Sequence, residues 1–547
     1  MKNVLKILIA FSFLFTTGFG QDLKQLLNEL AHQNEHQINV DEINSDHKCG
    51  FSRRASIAQF KDRMTGDQIS LYKATMTRPV LQNSLVSPKG YFRIHYDTSG
   101  PNEVKYDINE FATYCDQVYD KEVTEFGFKK PPSDNGEGGD DLYDIYILEF
   151  HSTYGETVFN ALNGGTEIPS YIKIDNDFIS GSFNTTGIDG AKVTIAHEFH
   201  HAIQVGYIWR GSDLFYYEMT STAMEELVFS DINDYYLYLP GFFNKPYLSM
   251  NSTNSNYHYA NCIFNLYLTS KFGPEIIKRV WELMPNDRAV GAINAALTEK
   301  GSGFKTEFNT FSDWIYFTGD YAKEGKYFPD AKDYPMILPT NSFKFEGSDY
   351  NKEMNYFTNP ASNNFIEYVD TTGGSINKIM IRITNSDYAS LISTSDNISV
   401  TTNFAKGNSI GDNFYKDYYF SKTVDADAEF ITSEIFINGK LASELNNGND
   451  NLSAGFVYPQ PYNPFKNTSL NFTVESGSEN TGTLYVFSLT MELLYSSELS
   501  LIPNGENYVI NWNGVCDSGD KLSSGVYIYV VDSNDKLIKG KFAVINE

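Results

Sequence analysis

His197-Glu198-Phe199-His200-His201 is the stretch on which the reading of this chain turns. The spacing H-E-x-x-H in a helix sets two imidazoles four residues apart on one face, where they can hold one metal ion. Glu198 stands beside the first of them, where a carboxylate can accept the proton of a metal-activated water. The competing reading is a surface helix with histidines at a coincidental spacing; with nine histidines in 547 residues such a coincidence is rare. Apolar residues at Val193, Ile195, Ala196, Phe199, Ala202, Ile203 and Val205 predict a largely buried helix over Ala191 to Tyr207. Gly187, Asp189 and Gly190 offer its start and Gly206 its end. His200 lies about 100° of helix turn from His201, so packing or a hydrogen bond is its expected role.

A tetrahedral site of this kind needs a third protein ligand. The continuation H-x-x-G-x-x-H is absent, because Gln204 and Tyr207 stand where glycine and histidine are required. Leu214 to Phe229 reads as a second helix, and Glu218 lies seventeen residues after His201, room for a short loop and a return. Here the sequence resembles the gluzincin metallopeptidases, in which a glutamate on a second helix completes a zinc site. Tyr216-Tyr217-Glu218-Met219-Thr220-Ser221-Thr222 is similar to their signature around that ligand, with Met219 in place of the usual small residue. The resemblance implies His197, His201 and Glu218 as metal ligands, Glu198 as general base, and Glu225 as a carboxylate orienting the first histidine. Glu226 competes with Glu225, and a solvated helix face competes with both.

More narrowly, about Lys48 to Glu282 resembles a family of secreted bacterial metallopeptidases. The matching pieces are Ser87 to Tyr96, Tyr143-Asp144-Ile145-Tyr146, Ser170 to Phe178 and the two motif helices. Related gluzincins place a tyrosine before a helix to stabilise the oxyanion. Tyr257 and Tyr259 both fit, ahead of a predicted helix Asn261 to Phe272, with His258 a third candidate. The chain has 38 tyrosines, so packing is the competing role for each. Ile172 to Phe178 alternates as a strand and suits an edge along which extended peptides pair. Asp134 to Asp141, with Asp144 nearby, and Asp175 with Asp177 are calcium candidates; an ordinary solvated acidic loop competes for the first.

Residues 1–20 carry Lys2 and Lys6, an apolar core and Gly18-Phe19-Gly20, the pattern of a secretory signal peptide. No other run approaches the roughly 18 apolar residues of a membrane helix, so export or attachment at the outer cell surface is expected, without a transmembrane segment. A formal charge of −27 disfavours nucleic-acid binding. Four cysteines make no disulfide framework, although Cys115 and Cys262 are candidates to pair. His47-Lys48-Cys49-Gly50 resembles the short C-G motif of cysteine-switch propeptides, whose thiolate fills the open zinc position. An isolated or disulfide-bonded Cys49 is the plainer alternative.

These readings give a multidomain chain with five parts. Residues 21–78 follow the signal peptide as a propeptide or N-terminal extension. Residues 79–335 form an α+β zincin-like metallopeptidase domain, with Ile276 to Met284 and Ala289 to Thr298 as further helices. Short strands such as Lys378 to Thr384 and Glu429 to Phe436 make residues 336–450 an all-β sandwich module. A linker near Asn446 to Gly455 leads to residues 456–547. There Tyr458 to Phe465, Trp512-Asn513-Gly514, Ser524 to Tyr529 and Gly540-Lys541 resemble the immunoglobulin-like sorting domain of type IX secretion substrates. The expected function is hydrolysis of protein or peptide substrates outside the cell, with the type IX secretion machinery as partner. The rival is a cell-surface adhesin or binding protein on a non-catalytic scaffold.

Overall fold

The computed structural model describes Leu27, residues 48–442 and residues 457–546, apart from 152, 180–182, 255, 346–349, 372–376, 392–397, 407–412, 416–417, 425–429, 460, 475–479, 490–491, 505–506 and 534–535. The signal peptide and the linker near 446–455 lie outside the described residues. The chain is a multidomain α+β protein whose β-rich part is C-terminal. It divides into two compact units, Met1–Ala442 and Ser443–Glu547.

In the first unit, helices α1 (Phe51–Ala58) and α2 (Gly66–Ala74) lead into strands β1 (Asn83–Val86) and β2 (Phe92–Tyr96). Helix α3 (Ile108–Tyr119) precedes β3 (Tyr143–Leu148), β4 (Gly155–Phe159) and β5 (Ser170–Asp175). The sheet order is β1-β2-β3-β5-β4, with β2, β3 and β5 parallel and β4 antiparallel to β5. The strand expected over Ile172 to Phe178 is therefore internal, not the edge. It ends at Asp175, whose carboxylate caps the turn by accepting from the backbone N–H of Phe150, Asp177 and Phe178. The edge is β4.

That edge is covered. All five residues of β4 are buried: residues 48–50 pair with its start, Arg54 of α1 meets Glu156, and Tyr72 of α2 reaches the Phe159 carbonyl. Cys49 bridges Gly155 in parallel fashion, the Gly50 N–H donates to the Gly155 carbonyl at 2.9 Å, and the Tyr154 N–H donates to the Lys48 carbonyl at 2.9 Å. An open strand edge exposes a row of unpaired backbone groups; here the chain's own N-terminal part pairs with the first of them.

Helix α4 (Gly187–Tyr207) packs on β4 and β5, and α5 (Leu214–Val228) packs against α4. Both are buried almost all round, as the apolar pattern of α4 demands. Behind them follow α6 (Cys262–Phe272), α7 (Glu275–Leu283), α8 (Ala289–Glu299) and α9 (Phe304–Trp314). Between Asn341 and Leu441 the chain forms a four-stranded and a five-stranded sheet. One apolar core runs from Phe51 in α1, through the helices, to Phe365 and Phe436. Tyr316 stacks on Phe436 at 3.7 Å, and Arg382 pairs with Asp313. The boundary expected at 335/336 thus separates secondary-structure types and not compact bodies. Residues 48–78 likewise belong to this unit.

The second unit holds two four-stranded antiparallel sheets around Phe472, Ile510, Trp512, Tyr529 and Phe542. Tyr462 is buried, and a Cβ on Gly514 would strike its ring at 2.5 Å, so two of the C-terminal sequence motifs meet in one contact. Cys115 and Cys262 are both free and buried, which rules out the expected pairing. Among the described residues no helix is long and apolar enough to cross a membrane.

Gly155 is where β4 passes the motif helix. A Cβ there would lie 2.7 Å from Thr194 Cγ2, 2.9 Å from the Lys173 carbonyl and 3.1 Å from Glu198 Cγ. Overpacking at such a contact costs about 1–3 kcal/mol. Gly155→Ala is expected to destabilise the first unit by that amount in denaturant-induced unfolding, whereas Gly136→Ala, with nothing within 4 Å but a φ of +82°, carries backbone strain alone.

Candidate metal centre

Helix α4 sets His197 and His201 on the face turned toward α5, and α5 returns Glu218 to meet them. His197 Nε2 and His201 Nε2 lie 3.1 Å apart, and each is 3.3 Å from Glu218 Oε2. Four ligands at about 2.0–2.1 Å around zinc have tetrahedral edges of about 3.3–3.4 Å, so these three atoms already form one face of such a tetrahedron. Cys49 joins them: its sulfur and the three other donor atoms all lie within 4.8 Å of one another, every residue buried.

The proton positions follow from the outer partners. His201 Nδ1 is 2.7 Å from Gln204 Oε1, and the Gln204 amide nitrogen donates to the Tyr217 carbonyl, Thr220 and Ser221. The amide oxygen must then be an acceptor, so His201 carries its proton on Nδ1. His197 Nδ1 lies 2.7 Å from Glu225 Oε1 and likewise donates. In the neutral rings both Nε2 atoms therefore present bare lone pairs, to each other and to a carboxylate. That arrangement calls for positive charge at its centre, as a proton on an Nε2 atom or as a metal ion.

The charge balance points the same way. Lys48 reaches Glu225 Oε2 and Asp234 Oδ2, each at 2.5 Å. Burial alone would lower its pKa, but Asp234 and Glu225 outweigh it and hold it charged. Among the described residues no lysine or arginine pairs with Glu198 or Glu218. Burial acts to raise Glu218, yet His201 and His197 outweigh it and hold the carboxyl well below its usual range. For His197, burial opposes the charged form, but hydrogen bonds to Glu218 and Glu225 prevail and push it up to about 9. Lone pairs, carboxylate and charge deficit fit a divalent cation, and the nitrogen, oxygen and sulfur donors suit zinc.

Glu198 is buried beside this set. Thr157, on the edge strand, sets its hydroxyl 2.7 Å from Glu198 Oε2. Burial first, then the Glu198 and Glu218 carboxylates, push the Cys49 thiol well up. Of the two tyrosines, the Tyr257 hydroxyl donates to the Leu248 carbonyl at 2.9 Å and is committed to structure; it drops out as a catalytic candidate. The Tyr259 hydroxyl is buried, its ring lies 6.1 Å from that of His197, and Glu218 and Cys49 act on it. The His258 ring lies 4.3 Å from that of Tyr259, tilted by 39°.

His200 points elsewhere, with Nδ1 2.7 Å from Glu122 and its ring edge-on to Phe128. Glu226 is not the orienting carboxylate; burial, then Asp330 and Asp231, push it up to about 8. The calcium candidates are engaged otherwise. Arg78 pairs with Asp134 and Asp144, Arg93 with Asp140, and His95 Nε2 lies 2.8 Å from Asp144. Among the described residues the Cys49–His197–His201–Glu218 group is the one cluster with metal-ligand geometry.

Sequence reasoning missed Gln204, Thr157, Lys48 and Asp234. Gln204 was legible in principle, since it sits three residues after His201 on the same helical face. The others are brought in by tertiary contact alone.

A family of unknown function (DUF6055) matches residues 95–289, which include both motif helices and Tyr259 but not Cys49. No curated protein matches. Among solved structures, PorZ of Porphyromonas gingivalis, described as an essential bacterial surface component of the type-IX secretion system, matches at 18% identity with a TM-score of 0.14. That match covers 33% of this chain and 30% of PorZ.

Removing an outer partner of a ligating histidine typically costs 10–100-fold in metal affinity. Glu225→Gln and Gln204→Leu are each expected to weaken zinc binding by about that factor in chelator competition, while His200→Phe leaves it unchanged.

Proposed function

We propose that this protein is a zinc-dependent endopeptidase of gluzincin type, exported and carrying a C-terminal sorting module. The observation that carries this reading is the triangle of His197, His201 and Glu218 donor atoms, with both imidazole Nδ1 protons taken up elsewhere and Glu198 at its side. Zinc would be held by His197, His201 and Glu218. The chemistry it supplies in such a site is Lewis acidity toward water and toward the scissile carbonyl.

The chain's own groups supply the rest. Glu198 accepts the proton of the attacking water at its carboxylate and delivers it to the leaving amine. Thr157 holds Oε2 of that carboxylate, so the base keeps one orientation. Glu225 holds the imidazole of His197 in the tautomer that leaves Nε2 free to bind. Tyr259, whose ring lies 6.1 Å from that of His197, would donate to the oxyanion as the carbonyl becomes tetrahedral. Strand β4 offers the main-chain groups with which an extended peptide can pair.

The five-stranded mixed sheet with its antiparallel edge and the α4–α5 pair are consistent with a zincin-like core. The two packed antiparallel sheets of residues 457–546, with Tyr462 against Gly514, are consistent with an immunoglobulin-like sorting module for type IX secretion. One observation favours the rival, a non-catalytic surface-binding scaffold: with Cys49 the donor set has four protein ligands, the closed form usual for structural zinc.

Glu198→Gln keeps the ligands and removes the base. In protein freed of residues 48–78, it is expected to retain one zinc per chain by metal analysis. It should lose peptide cleavage by about 10²–10⁴-fold, the usual contribution of a general base. Equal cleavage by wild type and mutant, or zinc-free wild type, would overturn the reading.

A further inference from the structure

The N-terminal segment Lys48–Ala58 is built into the site at every level. Its backbone occupies the β4 edge through Lys48, Cys49 and Gly50. Phe51 lies flat on His201, with ring centroids 3.9 Å apart and planes 2° from parallel. Ser52 donates to Glu218 Oε1, the oxygen not turned toward the histidines. Arg54 pairs with Glu156 on β4, with Nη2 2.6 Å from Oε1. Gly50 is the point of closest approach, since a Cβ there would lie 2.9 Å from Glu156. Lys48 clamps Glu225 and Asp234, and Cys49 brings its sulfur to the two histidines and Glu218.

Resting on the peptidase reading, we propose that Cys49 is a fourth protein ligand of the metal and that residues 48–58 are an internal plug holding the enzyme latent. Two requirements of catalysis are blocked by one segment. The sulfur takes the coordination position that water needs, next to Glu198. The same three residues pair with Tyr154 and Gly155, at the start of the β4 edge along which an extended substrate would lie. A structural zinc ligand would require only the sulfur. The backbone pairing, the ring on His201 and the paired arginine together fill the cleft as a substrate would.

The connection to the rest of the unit is open to attack. Val80, between α2 and β1, is 97% exposed. Hydrolysis of one bond within residues 79–81 by a peptidase, adding one water across it, severs the plug from the domain. The matched family region starts at residue 95, downstream of that link.

The test uses the full chain loaded with cobalt(II) in place of zinc, compared with Cys49→Ala. It also uses a chain with a site-specific peptidase recognition sequence replacing residues 79–81. Expected are one cobalt in both proteins and a near-ultraviolet thiolate-to-cobalt absorption in wild type that Cys49→Ala lacks. Cutting the engineered link of the zinc-loaded chain should release the N-terminal piece and switch on peptide cleavage. An identical cobalt spectrum in wild type and Cys49→Ala overturns the ligand assignment. Cleavage by the uncut chain equal to that of the cut chain overturns latency. Failure of both proteins to bind cobalt overturns the underlying metal reading instead. A thiolate band with no activity before or after release of the piece supports the ligand and overturns the peptidase.

Discussion

Two imidazole nitrogens and a carboxylate oxygen lie 3.1–3.3 Å apart in a buried site. Unpaired buried charge and facing lone pairs are among the most costly arrangements a protein can hold. Much of the surrounding structure serves to keep them there. Gln204 and Glu225 fix the ring tautomers, and Lys48 offsets two of the nearby carboxylates. The packing of α4 on α5 sets the spacing between the histidines and Glu218. A divalent cation turns that cost into binding energy, which is why affinity for the metal and stability of the α4–α5 pair should be linked.

The second constraint is the strand edge. An antiparallel edge beside the metal is useful for gripping an extended chain and hazardous when left open. Here it is closed from within the same chain. The segment that closes it also carries the sulfur, the ring on His201 and the lysine on Glu225. The closing of the edge and the approach of Cys49 to His197, His201 and Glu218 therefore come from one segment. The glycine at 50 marks how near the segment comes to β4, since a methyl group there would collide with Glu156, and the glycine at 155 marks how near β4 comes to the motif helix.

Much of this was legible in the chain. Helix periodicity placed α4 and α5 to within a few residues of their ends, and the predicted helices at 261–272, 276–284 and 289–298 lie within a residue of those observed. The H-E-x-x-H spacing put His197 and His201 on one face and His200 off it. Local spacing fails where choices depend on distant partners. Tyr257 and Tyr259 fit the same pattern, and only the Leu248 carbonyl, which claims the first, separates them. The acidic loop at 134–141 reads as a cation site until Arg78 and Arg93 arrive from elsewhere to neutralise it.

What the sequence by itself determined was the set of local geometries: two histidines and a base on one helix, a glutamate on the next, short strands later. These follow from the period of the helix and the alternation of the strand, which need no knowledge of the rest. Tertiary structure alone decided that Ile172–Asp175 is internal and β4 is the edge. It also decided that the middle β part shares one core with the helices, and that Cys49 meets His197, His201 and Glu218 across nearly 150 residues of chain. Such outcomes depend on which surfaces find each other in three dimensions, and spacing along the chain carries no record of that.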